Sequence, residues 1–363
     1  MTAAARHEVL RDRALSLSSE SAWPELCALF TVEVDVPSVG TTLLPPELAN
    51  LRAEALLRSG RAREAYDWLT LVLPLIEQRK DRAAVRQAVN LLGAATFELG
   101  ELGSATSSFE RALELGQRDG DDLLVARATN NLGAIANVRG DRERALMMYA
   151  LAIAAYQRLG QPRGLAAAYH NMAITFRHIG LLDRADEYER RAIEFARDAN
   201  NPHIMALARI GRAEISLMLG DARLAAVTAW RVAGEFAERG DPIQRANALR
   251  VVGAARVALG ELDGAEMVLE EGLELAQNHH AALTEAELLR SRAELRVWRA
   301  DFSGALEDGK RAMDIFDRLN ASADRDKLGA WVTALELRTA STVIPSERSE
   351  STDPRSSHVS PMP

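Results

Sequence analysis

Six glycines stand in register forty residues apart: Gly60, Gly100, Gly140, Gly180, Gly220 and Gly260. Glycine makes up about 7% of an average chain, so five further matches from one starting point arise by chance roughly once in 10⁶ trials. The residue five places after each glycine is alanine: Ala65, Ala105, Ala145, Ala185, Ala225 and Ala265. In the next unit Ala300 takes the glycine's place, and Ala305 still holds the alanine column. A fixed period of this length marks a repeat array. No unit of such an array buries its apolar face alone, and stacking on neighbours builds one continuous core. The 363 residues are therefore expected to form one elongated domain rather than two or three globular ones.

Aligned on the glycine, each unit reads as two amphipathic helices. In the third unit Ala128, Leu132 and Ile135 share one face of a first helix; Ala145, Met148, Tyr149, Ala152, Ile153 and Tyr156 recur at three and four in a second. Gly140 lies between them, where a positive φ ends the first helix without steric cost. An acid follows the turn residue in most units (Glu101, Asp141, Asp221, Glu261, Asp301) and is expected to accept from the free N–H groups of the second helix. Seven residues before the glycine stands Ala53, Gly93, Gly133, Ala173, Ala213, Gly253 or Ala293, a column of small residues that lets paired helices approach closely. Pro162, Pro202 and Pro242 follow the turns between units, where proline suits the first turn of a helix.

Composition agrees with this reading and narrows the environment. Hydrophobic residues are 47% of the chain, enough for a large core, while aromatics are only 5% and alanine is abundant, which favours close helix packing over sheets. Cys27 is the only cysteine, so no intrachain disulfide forms and a reducing, cytoplasmic setting is expected. No apolar run approaches the eighteen or so residues of a membrane span. A net charge of −8, from 44 basic and 52 acidic residues, argues against nucleic acid as a partner.

The order of small residue, glycine and alanine, as in NLGAIANVRGDRERALMMY, resembles the tetratricopeptide repeat. The resemblance covers roughly residues 45–320, about seven units. Their forty-residue period departs from that family's common thirty-four and is similar to the longer-helix repeats of kinesin light chains, Pins-type adaptors and bacterial regulators. It implies an all-α fold, a right-handed α-solenoid superhelix of antiparallel helix pairs. The ends are expected to differ. Residues 1–44 hold a degenerate helix pair and a turn-rich connector. Residues 321–340 hold a capping helix striped by Leu328, Trp331, Val332 and Leu335, and 341–363 a disordered tail rich in serine and proline.

In the family, the first helix of each unit lines the concave groove. Carried onto this chain, the groove positions ten and nine residues before the glycine place Asn90, Asn130, Asn131 and Asn171 along one stretch of wall. Asn130–Asn131–Leu132 reproduces a kinesin light chain pattern. An amide offers a donor and an acceptor, matching the backbone of an extended peptide. Arg127, Asn137, Arg177 and Trp298 are further groove candidates, as are His178 and Met218. His170 and His178 lack a third metal ligand, and the basic residues of the chaperone-tail clamp are absent from the matching sites Asn90, Ala94, Asn131, Ala167 and Asn171. No phosphate loop, GxSxG elbow or HExxH motif occurs, so neither catalysis nor a cofactor is expected. The expected role is a scaffold that binds a peptide segment or helix of a partner protein. The alternatives are a peptide-sensing bacterial regulator acting through a partner, and a structural assembly factor using convex or end surfaces. Imperfectly capped ends also offer a route to self-association.

Overall fold

The computed structural model describes residues 3–19, 22–33 and 44–343. Most of the connector (34–43) and the tail from 344 lie outside the described residues; 341–343 close the last helix. Two helices come first, α1 (Ala3–Ser19) and α2 (Trp23–Glu33). Seven antiparallel pairs follow: α3 (Pro46–Arg58) with α4 (Ala62–Gln78), α5 (Arg82–Glu98) with α6 (Leu102–Asp119), α7 (Asp122–Val138) with α8 (Arg142–Arg158), and α9 (Pro162–His178) with α10 (Leu182–Asp198). Then come α11 (Pro202–Met218) with α12 (Ala222–Glu238), α13 (Pro242–Leu259) with α14 (Leu262–Asn278), and α15 (Ala282–Trp298) with α16 (Phe302–Arg318). A last helix, α17 (Ser322–Val343), follows. The described residues contain no strand, and the pairs stack as a right-handed α-solenoid.

The turn geometry repeats every twenty residues, at half the sequence period. Positive φ occurs at each glycine of the register and also at Lys80, Gly120, Gly160, Asn200, Gly240, His280, Ala300 and Asn320. At these turns, the Lys80 turn apart, the N–H just after the positive-φ residue reaches back to a carbonyl five residues earlier, as in Glu101 N to Thr96 O (2.8 Å) and Asp141 N to Ala136 O (2.9 Å). That bond requires the intervening residue to be left-handed. Ala300 adopts φ +61° without glycine's freedom, at a cost of roughly 1–2 kcal/mol.

Capping follows side-chain length. Asp141, Asp221 and Asp301 accept from the N–H three residues on, at 3.2, 3.0 and 3.0 Å. Glu101 and Glu261 make no such bond, correcting the sequence expectation: one more methylene carries the carboxylate past the orphan N–H. The first helices have caps of their own at Asp81, Asp121, Asn201 and Asp241.

The two small-residue columns are the contact points of the pairs. All seven alanines from Ala65 to Ala305 are fully buried. Opposite the glycines of the other column, sixteen residues on, stands a large side chain. A Cβ on Gly93 would lie 2.7 Å from the Phe109 ring, one on Gly133 2.8 Å from Tyr149, and one on Gly253 2.5 Å from Leu269. Where the column holds Ala213 or Ala293, the facing residue is Ala229 or Gly309.

The superhelix also touches itself. The turn at Gly60 abuts Pro242, Gly100 meets Leu319 and Ala282, and Gly140 lies against Ala323; a Cβ built on Gly60 would stand 3.3 Å from Pro242 and one on Gly140 2.7 Å from Ala323. Ser322 Oγ donates to Arg139 O (3.3 Å), and Val138 packs on the C-terminal core. Residues 182 apart thus meet, so one superhelical turn takes about four and a half forty-residue units. The turns inside early units form one edge and the turns between late units the other, and this seam encloses the concave surface as a lumen.

Candidate functional site

The lumen is lined by the first helices, and its polar centre lies on α5, α7 and α9. Two amide contacts cross these helices, Asn131 Nδ2 to Asn90 Oδ1 (3.5 Å) and Asn171 Nδ2 to Asn130 Oδ1 (3.3 Å), and a third, Asn130 Nδ2 to Asn131 Oδ1 (3.5 Å), links them within α7. The four asparagines therefore meet, as one loosely bonded chain of amides. Distances at the long end of hydrogen bonding leave them ready to exchange partners. Asn130 is 6% exposed; Asn90, Asn131 and Asn171 are half-buried.

The other candidates divide. Arg127 stands on α7 one turn before the amides, is exposed and makes no ion pair among the described residues. Asn137 is buried in the wall instead, its Oδ1 accepting from Thr175 Oγ1 (2.9 Å) and Arg142 (2.7 Å). Arg177 pairs with Glu214 at 2.6 Å and has only 11% of its side chain exposed. Trp298, 63% exposed, ends α15, three units along from α9.

Acids that the sequence reading passed over complete the lumen. Arg250 joins Glu214 to Glu287, the latter at 3.0 Å. Burial pushes both carboxyls up, but Arg250 and Arg177 outweigh it and hold them below the usual range. Glu214 and Glu287 occupy groove positions six and thirteen residues before the turn, so an acidic entry in those columns was the available signal. Glu189 is fully buried in the wall beneath Gly211, where a Cβ would collide with its carboxylate. Its partner is His170 Nδ1 at 2.9 Å, and burial raises its pKa. His170 is thus committed to a carboxylate. His178 is held neutral by burial and by Arg177 and Arg142. Among the described residues no group of three or more His, Cys, Asp or Glu could hold a metal, and no helix is long and apolar enough to cross a membrane.

Where the seam meets the lumen, Glu98 and Asp241 approach. Glu98 keeps an exposed surface; desolvation by the surrounding chain first, and then the Asp241 charge, push its carboxyl up against Arg58. Burial raises Asp241 to about 6, opposed by the Gln244 N–H, Arg58 and Arg239. His203, 3.4 Å from Asp241, is pushed down to about 3 by burial, Arg58 and Arg239, and stays neutral across the same range. Opening would release the protons of Glu98 and Asp241 and let His203 take one up. The two carboxyls outweigh the one imidazole above about pH 5, so the closed seam weakens from there as pH rises through about 7. The radius of gyration is expected to grow between about pH 5 and about pH 8 in X-ray scattering, and Glu98→Gln to flatten the change. A wild-type radius independent of pH would refute this.

The tetratricopeptide repeat model matches residues 124–198, which span α7 to α10 and the amide chain. The same pair geometry recurs through seven units. Residues 124–198 are thus tetratricopeptide repeat by sequence, and the other units share their fold. The array is similar to a Rap protein complexed with Competence and Sporulation Factor (TM-score 0.59, 13% identity, 93% of this chain and 99% of that one). It is similar to NprR in complex with its cognate peptide NprX (0.55, 13%, 76% and 87%). It is also similar to a chain of the APC/C hetero-tetramer Cut9-Hcn1 (0.59, 16%, 88%), of which it spans 55%. At these identities the likeness gives the fold. No curated protein matches the chain in sequence.

Proposed function

We propose that the protein binds an extended peptide segment of a partner in the lumen. The observation that carries this reading is the amide chain of Asn90, Asn131, Asn130 and Asn171 across three adjacent helices. Its long mutual hydrogen bonds satisfy the amides while the lumen is empty and yield to the alternating N–H and C=O groups of a peptide backbone at little net cost. Arg127, without an ion-pair partner among the described residues, is placed to select an acidic group beside that backbone. Rap and NprR, arrays of this fold, are complexed with Competence and Sporulation Factor and with the peptide NprX, which fits a peptide-sensing regulator within the same reading.

The test is affinity capture from the native host, comparing wild type with the variant carrying Asn90→Ala, Asn130→Ala, Asn131→Ala and Asn171→Ala. A lumen partner is expected to fall by about tenfold or more, since several hydrogen bonds of about 1 kcal/mol each are lost. Circular dichroism is expected to match, because the amides bond chiefly to one another. A partner held equally by both proteins would move recognition to the convex or end surfaces.

A further inference from the structure

The second helices form the convex surface, and the positions four, seven and ten residues after the turn residue point outward. On α6 these are Ser104, Ser107 and Glu110; on α10, Arg184, Glu187 and Arg190. Among the seven second helices, only α12 fills all three with large apolar residues: Leu224, Val227 and Trp230. They are 53%, 70% and 53% exposed. Single exposed apolar side chains need no explanation, but a contiguous row marks an interaction surface.

Beside this ridge, and sharing Leu224 as a wall, lies a cleft of about 440 Å³ between α10, α11 and α12. Four guanidinium groups line it: Arg197, Arg209, Arg212 and Arg231. Arg212 pairs with Asp186 (2.6 Å) and Arg209 with Glu235 (3.0 Å). Arg197 and Arg231 are exposed and make no ion pair among the described residues. The cleft thus holds four cations against two carboxylates, in a chain whose net charge is −8.

We propose that the convex face of α10–α12 docks an acidic, amphipathic helix of a partner protein, its apolar stripe on the α12 ridge and its carboxylates in the arginine cleft. The ridge rises one residue per helical turn along α12, a spacing that a helix lying alongside repeats and an extended strand does not. Carboxylates match the planar guanidinium fork. A phosphate backbone would use the arginines and leave the ridge exposed. This face is opposite the lumen, so docking and peptide binding can occur on one molecule, and either can fail alone.

A photo-crosslinking amino acid at Val227 of the full chain, expressed in its host, tests the proposal once the captured segment is sequenced by mass spectrometry. The expected segment is net negative, with apolar residues at helical spacing. Arg197→Glu with Arg231→Glu, both surface changes, is expected to cut the yield about tenfold or more. The four-asparagine variant should leave it unchanged, and the same label at Ser107 on α6 should capture nothing. Capture of a second copy of this chain, of nucleic acid, or of a neutral or basic segment would overturn the proposal. So would a yield that the charge reversals leave unchanged, or no capture at all.

Discussion

Asp308→Ala is expected to destabilise the C-terminal units by about 3 kcal/mol, the lower end for removing one partner of a buried ion pair. Asp308 is fully buried and accepts from Arg292 through two bonds of 2.7 and 2.8 Å; Arg296 adds a third contact at 3.0 Å. Its equivalents in other units are Trp68, Ser108, Met148, Tyr188, Thr228 and Val268, so the backbone itself does not require a charge here. Removing the carboxylate leaves two guanidinium groups, 18% and 28% exposed, without their anion. Because they retain some water, the larger penalties of wholly buried cations do not apply. In a repeat array damage stays near its source. Hydrogen exchange should therefore quicken in α15–α17 while α7–α10 stay protected. A loss below about 1 kcal/mol in urea unfolding would show that the arginines simply turn out to solvent.

The second large effect concerns shape. Phe109 is 2% exposed and its ring lies over Gly93, so Phe109→Ala should cost about 3–5 kcal/mol as a cavity. Gly93→Val forces the ring away from its seat and should cost about 1–3 kcal/mol. The pair combined should cost less than the sum of the two, because the valine fills the space that the ring vacates. A double-mutant cycle from urea unfolding measures the difference, expected at about 1 kcal/mol or more in favour of the double variant. Strict additivity would mean that the close approach of α5 and α6 does not depend on these two residues.

Such local complementarity is why the fold is legible in the sequence. Glycine at the turn and alanine at the helix contact follow from backbone geometry; the glycine recurs in six of the seven units and the alanine in all seven, which announces the period. The twenty-residue half-period is harder to see, since Lys80, Asn200, His280 and Asn320 take positive φ in place of glycine. Glu101 and Asp141 look alike as acids after a turn, but only the shorter side chain reaches the N–H. The amide run was readable as a set of groove positions; that its members bond to one another was not, because a position on a helix face does not fix the rotamer. Asn137 shares that face by its register and is nonetheless drawn into the wall by Thr175 and Arg142. The seam left no trace at all. Contacts between residues 182 apart, made through different side chains each time, generate no column.

That seam changes what kind of polymer this array is. In an open solenoid a unit can be added or removed, and the rest slides along without noticing. Here Gly60 faces Pro242, Gly100 faces Ala282 and Gly140 faces Ala323, at offsets of 182, 182 and 183 residues. Excising one unit between them would keep the period but move each contact onto the next unit, so that Gly60 would face Ala282 in place of Pro242. The number of units thereby decides which side chains meet across the seam. Changing what lines the lumen leaves those pairs intact, whereas changing the number of repeats re-pairs every one of them.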